Sequence, residues 1–228
     1  MSEDPLLTGV LARAYVEGVQ SQGIACCIKH FIGNDTEYER STISSEIDER
    51  TLREVYLLPF EMAVERNVRA VMTVYNKLNG TFCDDHEWLI TTVLRNEWGF
   101  DGVVISDWFG LHSTAEAMNA GLDIEMPGPT RHRGLLLESA VNEGAVDSAT
   151  IEASVARVRA LAEWAQASKS DGSECTDDDA LTRDVQYRAA VGSTVLLTND
   201  NDQLPWPAQS GDRIALIGPY ASTGRPQG

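Results

Sequence analysis

Gly102-Val103-Val104-Ile105-Ser106-Asp107-Trp108 is an apolar run that starts at a glycine and stops at two residues with chemistry to offer. A short apolar run without polar alternation reads as a strand covered on both faces. Just upstream, residues 86–97 have the apolar spacing of a helix, closed by Gly99. Before that, Ala70-Val71-Met72-Thr73-Val74-Tyr75 is a second such strand, ending at Asn76 and the turn Asn79-Gly80. Further upstream, residues 48–66 repeat Leu52, Val55, Tyr56, Phe60, Ala63 and Val64 at helical spacing, with Ser45-Glu46-Ile47-Asp48 as the expected helix start. The polar stretch 33–47 reads as a long loop. Gly23-Ile24-Ala25-Cys26-Cys27-Ile28 reads as the first strand, ending in Lys29-His30-Phe31, with a helix over 6–21 before it. Downstream, a short helix near 113–120 stops at Gly121. Leu122-Asp123-Ile124-Glu125-Met126 is a fourth strand closed by Pro127-Gly128, and helices follow near 133–143 and 148–166. Strands alternating with helices predict parallel βαβ units, an α/β fold.

Residues 168–179 are polar, acidic and without periodicity, so they are expected to be a linker. A helix near 180–192 and strands at Thr194-Val195-Leu196-Leu197 and Arg213-Ile214-Ala215-Leu216-Ile217 are expected after it. The domain reading is therefore 1–167, a linker at 168–179, and 180–228. Four strands before the linker are half of what a (β/α)8 barrel requires. The expectation is a fragment: part of a barrel, then the opening of a second domain.

Composition narrows the function classes. Of 228 residues, 43% are hydrophobic and 23% charged, as in an ordinary globular protein. Lys and Arg number 18 against 35 Asp and Glu, a formal charge of −17. So acidic a surface repels phosphate backbones and anionic lipid, so neither nucleic acid nor a membrane is expected as a partner. No apolar run reaches the roughly 20 residues needed to span a bilayer. Met-Ser-Glu-Asp-Pro has no signal-peptide character, which leaves the compartment open between secreted and cytoplasmic. Cys26, Cys27, Cys83 and Cys175 form no C-x-x-C pair, and His30, His86, His112 and His132 have no ligand spacing, so no metal is expected. There is no G-x-S-x-G, no phosphate loop and no G-x-G-x-x-G. An enzyme of phosphorylated substrates is thereby disfavoured.

Lys29-His30, Tyr75-Asn76, Asp107-Trp108 and Glu125 each fall at the C-terminal end of an expected strand. Parallel α/β folds build their sites on that edge. Asp107 reads either as a pocket carboxylate, acting as nucleophile or base, or as the N-cap of a following helix. Trp108 offers a flat face for a sugar ring or belongs to the core. Lys29 and His30 are either donors to a polyhydroxylated substrate or a structural pair. Tyr75 packs or binds, and Met72, inside its strand, is core by default.

These runs resemble glycoside hydrolase family 3, nearest its β-glucosidases. The likeness is carried by Lys29-His30-Phe31, by Thr73-Val74-Tyr75-Asn76 with Asn79-Gly80, and above all by Trp98-Gly99-Phe100-Asp101-Gly102 through Asp107-Trp108. Ala120-Gly121-Leu122-Asp123-Ile124-Glu125-Met126-Pro127-Gly128 continues it. Val195-Leu196-Leu197-Thr198-Asn199, Leu204-Pro205 and Arg213 through Pro219 resemble the opening of the family's α/β-sandwich domain. The resemblance implies a partial (β/α)8 TIM-type barrel over 1–167 and a truncated α/β sandwich over 180–228. It implies a retaining hydrolase of β-glucosides or oligosaccharides that needs no cofactor. Asp107 would be the nucleophile, and Lys29, His30, Met72, Tyr75 and Trp108 would contact the sugar. The family's acid/base Glu is expected beyond residue 228, and its early barrel residues before Met1. Some relatives that cleave N-acetylglucosaminides carry a second His after a Lys-His-Phe run. Here the run continues Ile32-Gly33-Asn34 without one, which favours the β-glucosidase branch. A β-xylosidase or N-acetylglucosaminidase of the same family, or a non-catalytic sugar-binding module on this scaffold, is the alternative reading. Linkage preference and oligomeric state are left open.

Overall fold

The computed structural model describes residues 2–167, 179–206, 213–219 and 221–222. The chain divides into two units, residues 1–171 and 172–228. Residues 168–178 of the expected linker lie outside the described residues.

The first unit opens with α1, Pro5–Gln20, whose first amides are capped by the Asp4 carboxylate (2.8 Å to the Leu6 amide). Strand β1, Cys27–Phe31, then runs parallel to β3, Ala70–Thr73, which runs parallel to β6, Val103–Ile105. A fourth segment pairs at Ile124 with Ile105, and the Ser106 amide donates to the Ile124 carbonyl at 2.9 Å. Four parallel segments therefore lie side by side in chain order, the arrangement of a TIM-type barrel wall. Ile28, Val71 and Val104 pack on one side, against Leu52, Leu57, Ala63, Leu89, Ile90, Val93 and Leu94 of the covering helices. This layer is the main core. A fully buried leucine or isoleucine contributes roughly 1.5–3 kcal/mol, so it dominates the unit's stability.

A smaller sheet sits just past the ends of β1 and β3. In it β2, Ser44–Ser45, runs parallel to β4, Lys77–Leu78, and β4 turns back through Asn79-Gly80 into β5, Thr81–Phe82. Both turn residues have positive φ (48° and 89°), which an Asn-Gly pair accommodates and few others do. The Asn79 side chain also holds Ile47 at both ends, accepting from its amide (2.8 Å) and donating to its carbonyl (2.9 Å).

Several expectations shift. The first strand is Cys27–Phe31, not 23–28, because pairing of Cys27 with Ala70 sets the register. Lys29 and His30 thus lie inside the strand rather than after it. The helix start is Asp48, which accepts from the Thr51 amide at 3.0 Å, whereas the Ser45 hydroxyl donates to the Gly33 carbonyl. The helix over 48–66 is not uniform: α2, Glu49–Thr51, widens into a π-type segment, Leu52–Leu57, before α3, Leu58–Val64. Pro59 has no amide hydrogen and its ring crowds the carbonyl one turn back, so the preceding turn opens. The helix after β5 is also π-type, Trp88–Glu97. It is followed by α4, Ala115–Ala120, α5, Leu135–Asn142, and α6, Ser148–Gln166.

In the second unit α7, Ala180–Ser193, starts at Asp179, whose carboxylate accepts from the Thr182 amide at 2.7 Å. The strands expected at 194–197 and 213–217 do not form among the described residues; Leu197 and Ile217 are almost fully exposed. An apolar run becomes a strand only when a neighbouring backbone completes its ladder.

Candidate active site

The C-terminal ends of β1, β3 and β6 converge on one carboxylate. Asp107 follows β6 by two residues and is 8% exposed. One of its oxygens, Oδ1, accepts the Trp108 amide at 2.6 Å. The other, Oδ2, lies 3.3 Å from Nε2 of His30 on β1. Tyr75 stands just past β3. Burial first, and then the charge of the nearby Asp107 carboxylate, raise the Tyr75 hydroxyl above its ordinary range, so it remains a proton donor. Burial also pushes His30 below its ordinary value, against the opposing pull of Asp107. His30 is therefore a neutral imidazole at pH 7, offering one N–H. Every polar group that touches Asp107 is a donor or can act as one.

Trp108, beside the carboxylate, is 44% exposed as a residue. Lys29 is exposed on β1, where its charge acts on His30 rather than in an ion pair with Asp107. Met72 is buried on β3, in register with Ile105 of β6. Glu125 does not join the cluster: it accepts from the Thr130 hydroxyl and from the Arg131 (2.8 Å) and His132 (3.1 Å) amides, clamping the loop after the fourth strand segment. Burial works against its charge, but those hydrogen bonds prevail and hold its carboxyl below the ordinary range. Asn76 is likewise structural, donating to the Ile32 (3.3 Å) and Lys77 (3.0 Å) carbonyls. Among the described residues no three His, Cys, Asp or Glu side chains are grouped to hold a metal ion.

Sequence reasoning passed over four contributors. The Arg40 guanidinium lies 4.8 Å over the Tyr75 ring and pairs with Glu37 at 2.8 Å. Gly110 lets the backbone close on the site: a Cβ there would stand 3.3 Å from both the Asp107 carbonyl and Tyr75 Cδ1. Thr73 and Asp84 form a buried hydrogen-bonded pair behind the carboxylate. Only the glycine had a readable signal, as a small residue directly after an aromatic pair.

Residues 1–161 match the Glycosyl hydrolase family 3 N terminal domain. The chain belongs to glycosyl hydrolase family 3. Within that family it is 53% identical to a β-glucosidase of Rhizobium radiobacter, over all of this chain and 28% of that protein. It is 44% identical to probable β-glucosidase K of Aspergillus fumigatus (strain Af293), over 97% of this chain and 29% of the relative. The β-glucosidase of Kluyveromyces marxianus, solved in complex with glucose, superposes with a TM-score of 0.83 at 39% identity, covering 90% of this chain and 26% of that one. The chain thus spans less than a third of the length of these family 3 relatives. Its parallel α/β wall is the TIM-type barrel architecture of the family's N-terminal domain.

Proposed function

We propose that Asp107 is the nucleophile of a retaining β-glucosidase and that these 228 residues are the nucleophile-bearing part of such an enzyme. What carries the reading is the surroundings of that carboxylate: buried at the barrel rim, contacted by His30 and the Trp108 amide, near Tyr75 and beside the exposed Trp108. The similarity to β-glucosidases, one of them holding glucose, supports the substrate class.

In the first step an Asp107 oxygen attacks the anomeric carbon of a terminal β-D-glucosyl residue. The bond to the aglycone oxygen breaks, and that oxygen takes a proton from a general acid. In the second step water attacks the same carbon, gives its proton to that group, and releases glucose and the free carboxylate. Retaining enzymes place the two carboxyl groups about 5–5.5 Å apart. The acid/base belongs, on this reading, to the part of a family 3 enzyme outside these 228 residues. His30 and Lys29 donate to sugar hydroxyls, Trp108 stacks on the ring, and Tyr75 and Met72 line the glucosyl subsite. Residues 1–167 are then part of the barrel and 180–228 the beginning of an α/β sandwich.

A 2-fluoro-glucoside with a good leaving group traps the covalent intermediate. In a complete family 3 chain carrying these residues, peptide mapping should find the label on Asp107, and Asp107→Ala should abolish labelling and cut kcat by several orders of magnitude. A label on any other carboxylate rejects the assignment. Glucose binding with neither adduct nor turnover would identify a non-catalytic sugar-binding module instead.

A further inference from the structure

A second carboxyl group lies buried behind the first and takes no part in the steps above. Asp84, 1% exposed, sits on the short turn Cys83–Asp85 that follows β5. Its Oδ1 is hydrogen-bonded to the Thr73 hydroxyl at the end of β3, and its Oδ2 has no partner. The same hydroxyl lies 3.2 Å from the Ile105 carbonyl on β6, two residues before Asp107.

Proton counting restricts what this chain of contacts can be. A hydroxyl has one proton, and a carbonyl oxygen can only accept. If Thr73 donates to Ile105, its contact with Asp84 needs a proton carried by Asp84. If Asp84 is ionised, it takes the Thr73 proton and the Ile105 carbonyl loses its side-chain donor. An ionised Asp84 would also bury a charge with one oxygen unsatisfied, which is costly.

Burial is the largest influence on Asp84, and the charges of Asp85 and Asp107 act in the same direction. Against them stand the Thr73 hydrogen bond and the charge of Arg133, whose Nη1 and Nη2 donate to the Thr114 (2.9 Å) and Leu122 (3.3 Å) carbonyls and whose Nε is buried without a hydrogen-bond partner. Asp85 itself accepts from the Ser113 hydroxyl at 2.5 Å. The outcome is a carboxyl raised to about 7.

We propose that Asp84 is a positioning residue: held as a neutral acid, it donates to Thr73, whose own proton then fixes the Ile105 carbonyl and the backbone that aims Asp107. The role rests on reading Asp107 as the nucleophile; the hydrogen-bond chain does not. When Asp84 ionises, Thr73 turns to it, the end of β6 loses that donor, and a second negative charge appears near the nucleophile.

The test is a carboxyl-carbon NMR titration of the 228-residue chain labelled at aspartate. The Asp84 signal should titrate near pH 7, and the Asp107 signal should show a step at the same pH. Asp84→Asn, whose amide still donates to Thr73, should abolish that step while leaving the Asp107 shift at pH 5 unchanged. Asp84→Leu and Thr73→Val should displace the Asp107 signal at every pH. If Asp84→Leu does not fold, the comparison of Asp84→Asn with wild type still decides. In a complete enzyme, kcat should fall above pH 7 with KM unchanged, and Asp84→Asn should remove that fall. The proposal is overturned if Asp84 titrates near the ordinary 3.8, if Asp107 shows no coupled step, or if Asp84→Asn displaces Asp107 as the leucine variant does. A fluoroglucoside label found elsewhere, with the coupled step intact, refutes the nucleophile and not the hydrogen-bond chain.

Discussion

At the scale of the residue, the proposed function divides the site into a side chain that reacts and side chains that hold and recognise. Trp108 serves the first group through its backbone amide, on Asp107 at 2.6 Å, and the second through its ring. Trp108→Ala keeps the amide and removes the ring. In a complete enzyme it should therefore raise KM for an aryl β-glucoside more than it lowers kcat, as steady-state kinetics would show. Asp84 makes a separate prediction about stability. Its folded pKa, about 7, stands above its ordinary 3.8, so its stabilising contribution is complete below pH 3.8 and is lost as pH rises toward 7. Thermal unfolding of the chain should show that loss between pH 4 and 8, and Asp84→Asn should flatten it. The placement of Asp107, Tyr75 and Trp108 was legible in sequence because each stands just past the end of a readable strand, whereas His30 reaches Asp107 from inside β1. Asp84 was not legible: burial is a property of the packed structure, and Cys83-Asp84-Asp85 after a turn reads as polar loop. Glu125 shows the reverse error, a carboxylate at the right edge whose hydrogen bonds are spent on its own loop.

At the scale of the element, ladder bonds hold β1, β3 and β6 together, and the fourth segment adds a charge clamp to its backbone hydrogen bonds with β6. The Asp123 side chain is fully buried and accepts from Arg95 Nη2 (2.8 Å), Arg157 Nε (2.9 Å) and the Val104 amide of β6 (2.9 Å). One carboxylate thus joins the π-type helix, α6 and the sheet. Asp123→Ala would leave two guanidinium groups without their anion, and removing one partner from a buried pair costs about 3–5 kcal/mol. Urea unfolding should show a loss of that order; a change within about 0.5 kcal/mol, typical of a surface position, would refute the clamp. Element type was readable wherever a local cause acts. Capping carboxylates mark the starts of α1, α2, α6 and α7, and doubly covered strands show as apolar runs. Placement failed where the cause is remote. The partner β3 moved β1 along the chain, and the runs at 194–197 and 213–217 have no ladder partner among the described residues.

At the scale of the whole molecule, the chain carries the surroundings of the proposed nucleophile within less than a third of the length of its relatives. Turnover of an aryl β-glucoside by the 228 residues alone should be negligible. Robust hydrolysis would show that every group the reaction needs is already present. Asn79 adds a consequence of another kind. Asn-Gly is the dipeptide most prone to deamidation, because the glycine nitrogen can reach the asparagine side chain and close a succinimide ring. Here that side chain is bound to Ile47 through both its oxygen and its nitrogen, so it is not free to cyclise while the hairpin stays intact. Chemical ageing at this position therefore keeps time with opening of the hairpin, and the fraction of aspartate or isoaspartate in a stored sample records how often the neighbourhood of the site has come apart.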